Sequence, residues 1–205
     1  MATIRQSLFA TLAGCLALAG ISVPALCAQS APAAPAANAA LPLKAVLVLT
    51  PEFCATKFKQ GSMWTTGRET FPVGKMACTE LAPALKPAFA DLATASAPPA
   101  PGSAQLVLIP KFVTGHATTT VFVFSNREMD VFLEWTIKDA AGKTVWLQTI
   151  QGTSKHHTGN AFTHGHDIKL LARDSVKDAA ARSAAAMEAA PELRKLAAEN
   201  ASSAQ

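Results

Sequence analysis

Residues 129–153, MDVFLEWTIKDAAGKTVWLQTIQGT, decide the fold. From 129 to 138 the apolar Val131, Leu133, Trp135 and Ile137 alternate with Phe132, Glu134, Thr136 and Lys138. Side chains of a strand point to opposite faces in turn, so this spacing predicts a strand with one buried face. Asp139-Ala-Ala-Gly142 is turn chemistry, with Gly142 free to take a left-handed conformation. Residues 143–153 then return as the partner strand of an antiparallel hairpin.

Working outward, residues 105–113 (QLVLIPKFV) read as another strand, with Pro110 marking an edge or a bulge. Residues 43–50 (LKAVLVLT) have the continuous apolar character of a buried strand, ended by Pro51. Residues 53–67 are expected to be irregular, with a short extended piece at 69–73. Met76, Leu81, Leu85, Phe89 and Leu92 recur at helical spacing across 75–92, and Pro83 and Pro87 inside this stretch should kink it with both rings outward. Residues 93–103 (ATASAPPAPGS) read as a flexible loop, and 156–166 as another. The tail from Asp167 is helical, with Leu170, Leu171, Val176, Ala180, Ala184 and Met187 on its packing side and Pro191 restarting it as a first-turn proline.

The order β-β-α-β-β-β-α specifies an α+β domain. The expected form is a two-layer sandwich: a mostly antiparallel sheet of about five strands packed by two helices, the first kinked by prolines. Expected boundaries are a signal peptide over 1–28, a Pro/Ala linker over 29–42, one domain over 43–199 and a disordered tail over 200–205. The formal net charge of +4 is small and dispersed. Nucleic-acid binding needs a clustered basic face, so no nucleic acid is expected.

The first 28 residues have the layout of an export signal: Arg5, an apolar run over 8–23, Pro24, then Ala25-Leu26-Cys27-Ala28. Cleavage there releases the chain to the periplasm or the medium. Leu12-Ala13-Gly14-Cys15 also has the form of a lipobox, and cutting at that point would acylate Cys15 and give an outer-membrane lipoprotein. Membrane association is expected only through Cys15 or an uncleaved signal.

PVGKMACTELAPALKPAF (72–89), a glycine opening a helix, and DVFLEWTIKDAAGKTVWLQTIQG (130–152), the Trp-bearing hairpin, resemble small exported lipoproteins of Gram-negative envelopes. These include accessory proteins of ABC-type transport and outer-membrane assembly. The resemblance implies an accessory or binding role near the outer membrane and carries over no catalytic residue.

Cys54 and Cys78 survive export and should pair in an oxidising compartment, closing a ring of about 25 residues worth on the order of 3 to 4 kcal/mol. Inside it, Lys57, Lys59 and Trp64 mix basic and aromatic character and form a candidate surface contact for an anionic headgroup, against the plainer reading of solvated lysines and a core-edge tryptophan. Four of the five histidines cluster as His156, His157, His164 and His166. On extended chain, His164 and His166 would point the same way and with His156 or His157 hold Zn, Cu or Ni; the plainer reading is a solvated polar loop. Gly142-Lys143-Thr144 imitates the end of a P-loop, but Ile137 stands where the first glycine is needed. No nucleophile elbow or zinc-protease motif occurs. Glu128 and Asp130, on one strand face, are expected to keep a sheet edge soluble. The expectation is therefore a non-enzymatic envelope protein without a cofactor that engages a partner protein or an amphipathic ligand between its sheet and helices. The alternative is a periplasmic metal-binding protein using the histidine segment.

Overall fold

The computed structural model describes residues 40–61, 68–118, 126–157 and 164–203. All belong to one compact unit, Ala37–Gln205. In chain order the elements are β1 (Leu41–Val48), α1 (Pro51–Cys54), β2 (Phe58–Gly61), β3 (Arg68–Phe71) and α2 (Val73–Leu85). A 3-10 turn at Lys86–Ala88 then leads to β4 (Phe89–Ala95), β5 (Leu106–Thr118), β6 (Asn126–Asp139), β7 (Thr144–His157), α3 (His164–Ala189) and α4 (Pro191–Ser203).

β6 and β7 form the expected antiparallel hairpin, longer than its sequence pattern, pairing from Asn126 opposite His157 to Lys138 opposite Thr144. Asp139 shapes the turn: its Oδ1 accepts from the backbone N–H of Ala141 and of Lys143, each at 2.9 Å. Gly142 takes φ +80°, a conformation that costs a Cβ-bearing residue free energy.

The sheet is mixed, not purely antiparallel. Its five strands run β4-β1-β5-β6-β7, and β1 is parallel to both neighbours. The parallel half arises because the chain leaving β1 passes through α2 before returning as β4, and a helical crossover brings the next strand back in the same direction. β4 occupies 89–95, which helical spacing had placed at the end of a helix and the start of a loop. Pro87 closes the helix in a 3-10 turn, and the alanine-rich FADLATA has room at an edge with only Phe89 fully buried. Leu41 and Pro42, expected in the linker, already belong to β1.

Four α-helices replace the two expected. α2 runs through Pro83, which with Pro87 lies exposed as anticipated. α4 begins at Pro191, also as anticipated, so the tail is two helices. The stretch after β1, expected to be irregular, holds α1 and β2. In α1, Thr50 caps the turn by accepting from Phe53 N–H at 3.1 Å and Pro51 occupies a first-turn position where no N–H is needed. Backbone and Thr50 hydrogen bonds hold the Glu52 carboxyl below its ordinary range, so its contribution is present above that range and is lost as pH falls.

Pro110 sits in an interior strand, between β1 and β6. β1 pairs with β5 only over Leu106–Leu108, so Pro110 lies past that ladder on a locally free side where its missing N–H costs nothing, close to a register shift between Phe112 and Thr114. β2 and β3 form a separate two-stranded sheet. Phe58 packs on Phe71 (ring centroids 5.5 Å) and Phe112 (6.3 Å), while the Gln60 side-chain amide pairs with both backbone groups of Ala117, joining this small sheet to β5. Cys54 and Cys78 are disulfide-bonded and tie α1 to α2.

The core lies where α2, α3 and α4 cover one face of the large sheet. Leu43, Ala45 and Leu47 of β1, Leu106 and Leu108 of β5, and Met129, Val131, Leu133, Trp135 and Ile137 of β6 are all buried, meeting Leu81 and Leu85 of α2, Leu171, Val176 and Met187 of α3 and Leu193 of α4. Trp135, at 0 % exposure, is the largest of these side chains.

Candidate functional site

Two places outside the core concentrate chemistry. The first is the far end of the β6–β7 ladder. His156 ends the helix-facing row of β7, and its Nε2 lies 2.8 Å from Asp174 Oδ2 on α3. Directly across the ladder is Arg127, buried at 6 % exposure. Arg173 Nε donates to the other oxygen of Asp174 at 3.2 Å. Among the described residues His156 thus has Nε2 engaged with α3 and Nδ1 open to another partner. Nothing in the sequence near His156 announces Asp174, which lies 18 residues away across a turn of the fold.

The histidine set divides. His156 and His157 close β7, whereas His164 and His166 stand in the first turn of α3 and not in a loop. The extended geometry assumed for their shared ligation does not hold there, because helical positions two apart do not share a face. The side chains of His157, His164 and His166 lie outside the described part of the structure. Among the described residues, no three metal-ligating side chains converge.

Lys57 and Lys59 are both exposed, Lys59 on the face of β2 opposite the packed Phe58. Trp64 and Cys15 lie outside the described residues. β6 proves to be an interior strand, so Glu128 does not guard an edge; it pairs across the ladder with Lys155 at 2.5 Å. No described helix is long and apolar enough to cross a membrane.

The second place is the sheet face turned away from the helices. Its row of positions follows from the register: Val46 opposite Val107, Val107 opposite Lys138, Ile109 opposite Thr136, and Thr136 opposite Leu147. Leu147 is 63 % exposed and Val113, at the β5 register shift, 49 %. The chain between β4 and β5 must pass β1, which lies between them, and it rests on this face. Together with Val107, Ile109, Lys138, Asp139, Ala140 and Gly142, residues 98–102 and Ala104 line a half-open pocket of about 180 Å³. The flexibility expected of 93–103 gives way here to its density of prolines, because such runs are semi-rigid. The segment is fastened by Gly102 N–H to Ala140 O at 3.0 Å and by the Ser103 hydroxyl to Ala100 O at 2.6 Å. A shallower cleft of about 340 Å³ adjoins the same turn, between Gln105, Asp139 to Ala141 and Leu196, Glu199 and Asn200 of α4.

No family model matches the chain, and no curated protein matches it. Solved structures do. A minor lipoprotein from Acinetobacter baumannii is 14% identical, with a TM-score of 0.47 over 73% of this chain and 93% of that one. A Xanthomonas campestris protein of the DUF330 family is 6% identical, with a TM-score of 0.47 over 70% and 85%. A proposed lipoprotein from Caulobacter crescentus is 15% identical, with a TM-score of 0.39 over 65% and 86%. Two of these three are described as lipoproteins, the kind of protein that residues 72–89 and 130–152 resemble.

Proposed function

We propose that this chain is a non-catalytic accessory protein of the cell envelope, exported to the periplasm or held at the outer membrane through Cys15, which engages an amphipathic ligand or a partner protein through the sheet face that the helices leave uncovered. The observation that carries this reading is Leu147, a large apolar side chain 63 % exposed near the start of the edge strand β7, on the same uncovered face as Ile109, Val107 and Val46 with Thr136 and Lys138 of β6 between them. A single exposed leucine is ordinary; apolar positions gathered on one uncovered face across several strands are the form an interaction surface takes. Lys57, just before β2, and Lys59, on it, are exposed and would add attraction to anionic partners. A photo-crosslinking residue at position 147 in the native envelope should give a discrete adduct, and one at the exposed Glu192 of α4 should not. Equal labelling at both positions, or none at 147, sinks the reading.

A second reading, metal handling, is favoured by one contact: Asp174 holds His156 as outer-shell carboxylates hold metal-binding imidazoles. On that reading His156 Nδ1 with His157, His164 or His166 takes Zn, Cu or Ni. Titration with each ion should then give binding tighter than about micromolar that is lost in the His164→Ala/His166→Ala variant; absence of such heat ends it.

A further inference from the structure

We infer that the pocket beneath residues 98–102 binds a short apolar chain ending in an anion, of the class of a medium-chain acyl carboxylate, with the chain over Val107 and Ile109 and the head beside Lys138. This rests on the reading of the uncovered face as a ligand surface and assigns one site within it.

Size comes first. An engineered apolar cavity of about 150 Å³ stays dry and takes up benzene, so about 180 Å³ accommodates one ring or roughly six methylenes. A long lipid tail does not fit. The walls are poor in hydrogen-bond donors, because Pro98, Pro99 and Pro101 have no backbone N–H, and the floor is the aliphatic Val107 and Ile109. Water has little to hold it there. The wall is also already in place: Gly102 N–H is bound to Ala140 O, and both the N–H and the hydroxyl of Ser103 are bound to Ala100 O at 3.2 and 2.6 Å. A preformed site loses less ordering entropy on binding than a mobile loop would.

Charge selects the head group. Two ionisable side chains line the pocket, Lys138 and Asp139. Asp139 is committed to the turn, its Oδ1 accepting from Ala141 and Lys143 N–H. Lys138 is half-buried, and among the described residues it has no ion-pair partner; its cross-strand neighbours are Val107 and Thr144. A lysine at such a lining position can lay its methylenes along the apolar wall and keep its ammonium in water, the arrangement by which lysine serves an amphiphile. The complement is an apolar chain with one negative charge.

Calorimetric titration of the purified protein at low ionic strength tests this with three probes. Octanoate should bind with a Kd on the order of 100 μM, octylammonium at least tenfold more weakly, and acetate without detectable heat. Lys138→Met, which keeps the stem and removes the charge, should weaken octanoate about tenfold and abolish the preference over octylammonium. Ile109→Trp fills the floor and should remove octanoate binding; because that change also loads the strand with a larger side chain, the Lys138→Met result decides where the two disagree. Octanoate binding that is absent, or present only as association with anionic phospholipid vesicles, overturns the inference. Octanoate binding insensitive to Lys138→Met and Ile109→Trp but lost in Leu147→Lys also overturns it, while leaving the broader reading of the sheet face standing.

Discussion

Gly152→Ala should destabilise the protein by about 3 kcal/mol, the upper end of the range for overpacking a well-filled core, and lower its melting temperature by roughly 6–12 °C. Gly152 is in the middle of β7, opposite Val131, on the face covered by α3. A Cβ built there overlaps the backbone oxygen of Ser175 and the backbone nitrogen of Ala179, and comes within 2.5 Å of the Ala179 Cβ. α3 therefore touches the strand with its own backbone. The small residues Ser175, Ala179 and Ala180, all buried, permit that approach. Alanine would ordinarily help a strand by narrowing the unfolded ensemble, but that gain is below about 1 kcal/mol and cannot offset a helix forced outward. Relief is costly because the obstructing atoms are main chain, and moving them moves Val176 and Leu171 out of the core with them. Gly142→Ala is the control: its φ of +80° strains alanine, yet nothing lies near the new methyl group, so the cost should stay near 1 kcal/mol. Thermal unfolding checks both. A Gly152→Ala midpoint within about 2 °C of the parent would mean that α3 does not sit on the strand as closely as described.

The same contrast explains what was legible in the sequence. The β6–β7 hairpin could be read because Val131, Leu133, Trp135 and Ile137 bury one face while the intervening residues meet solvent or one another, a local pattern of period two. The restart at Pro191 and the pairing of Cys54 with Cys78 were equally local or arithmetical. The parallel half of the sheet was not. β4 is buried only at Phe89, its remaining positions are half-buried or exposed, and its pairing is fixed by β1 some forty residues earlier, so no periodicity within FADLATA announces a strand. Gly152 likewise gives no sign in sequence that a helix backbone lies against it. The pocket was hidden for another reason: Pro-Pro-Ala-Pro-Gly looks like a linker until the crossing from β4 to β5 lays it over Val107 and Ile109. His156 was singled out for metal chemistry, and what the fold supplies is Asp174, a partner chosen by tertiary contact alone.

Trp135→Ala should cost more than any other single substitution in β6, about 4 kcal/mol, since it removes the largest fully buried side chain and leaves a cavity between β6 and α3. The more informative variants separate volume from hydrogen bonding. Trp135 Nε1 donates to Ser183 Oγ at 2.8 Å, and Ser183 Oγ donates in turn to the backbone oxygen of Ala179 at 2.7 Å; Ser183 is fully buried. One hydroxyl therefore both accepts and donates, and the relay satisfies an indole N–H that has no water to turn to. Ser183→Ala strands that N–H and should cost about 1–3 kcal/mol, although alanine is the better helix former. Trp135→Phe should cost a similar amount, through lost volume rather than an orphaned donor. Combined, the two should destabilise by about 1 kcal/mol less than their sum, because the phenyl ring needs no acceptor and the second substitution no longer strands anything. Urea unfolding of the four proteins gives the cycle directly. Strict additivity would show that the indole N–H finds another partner when Ser183 is gone, and Trp135 would then hold α3 to the sheet by packing alone.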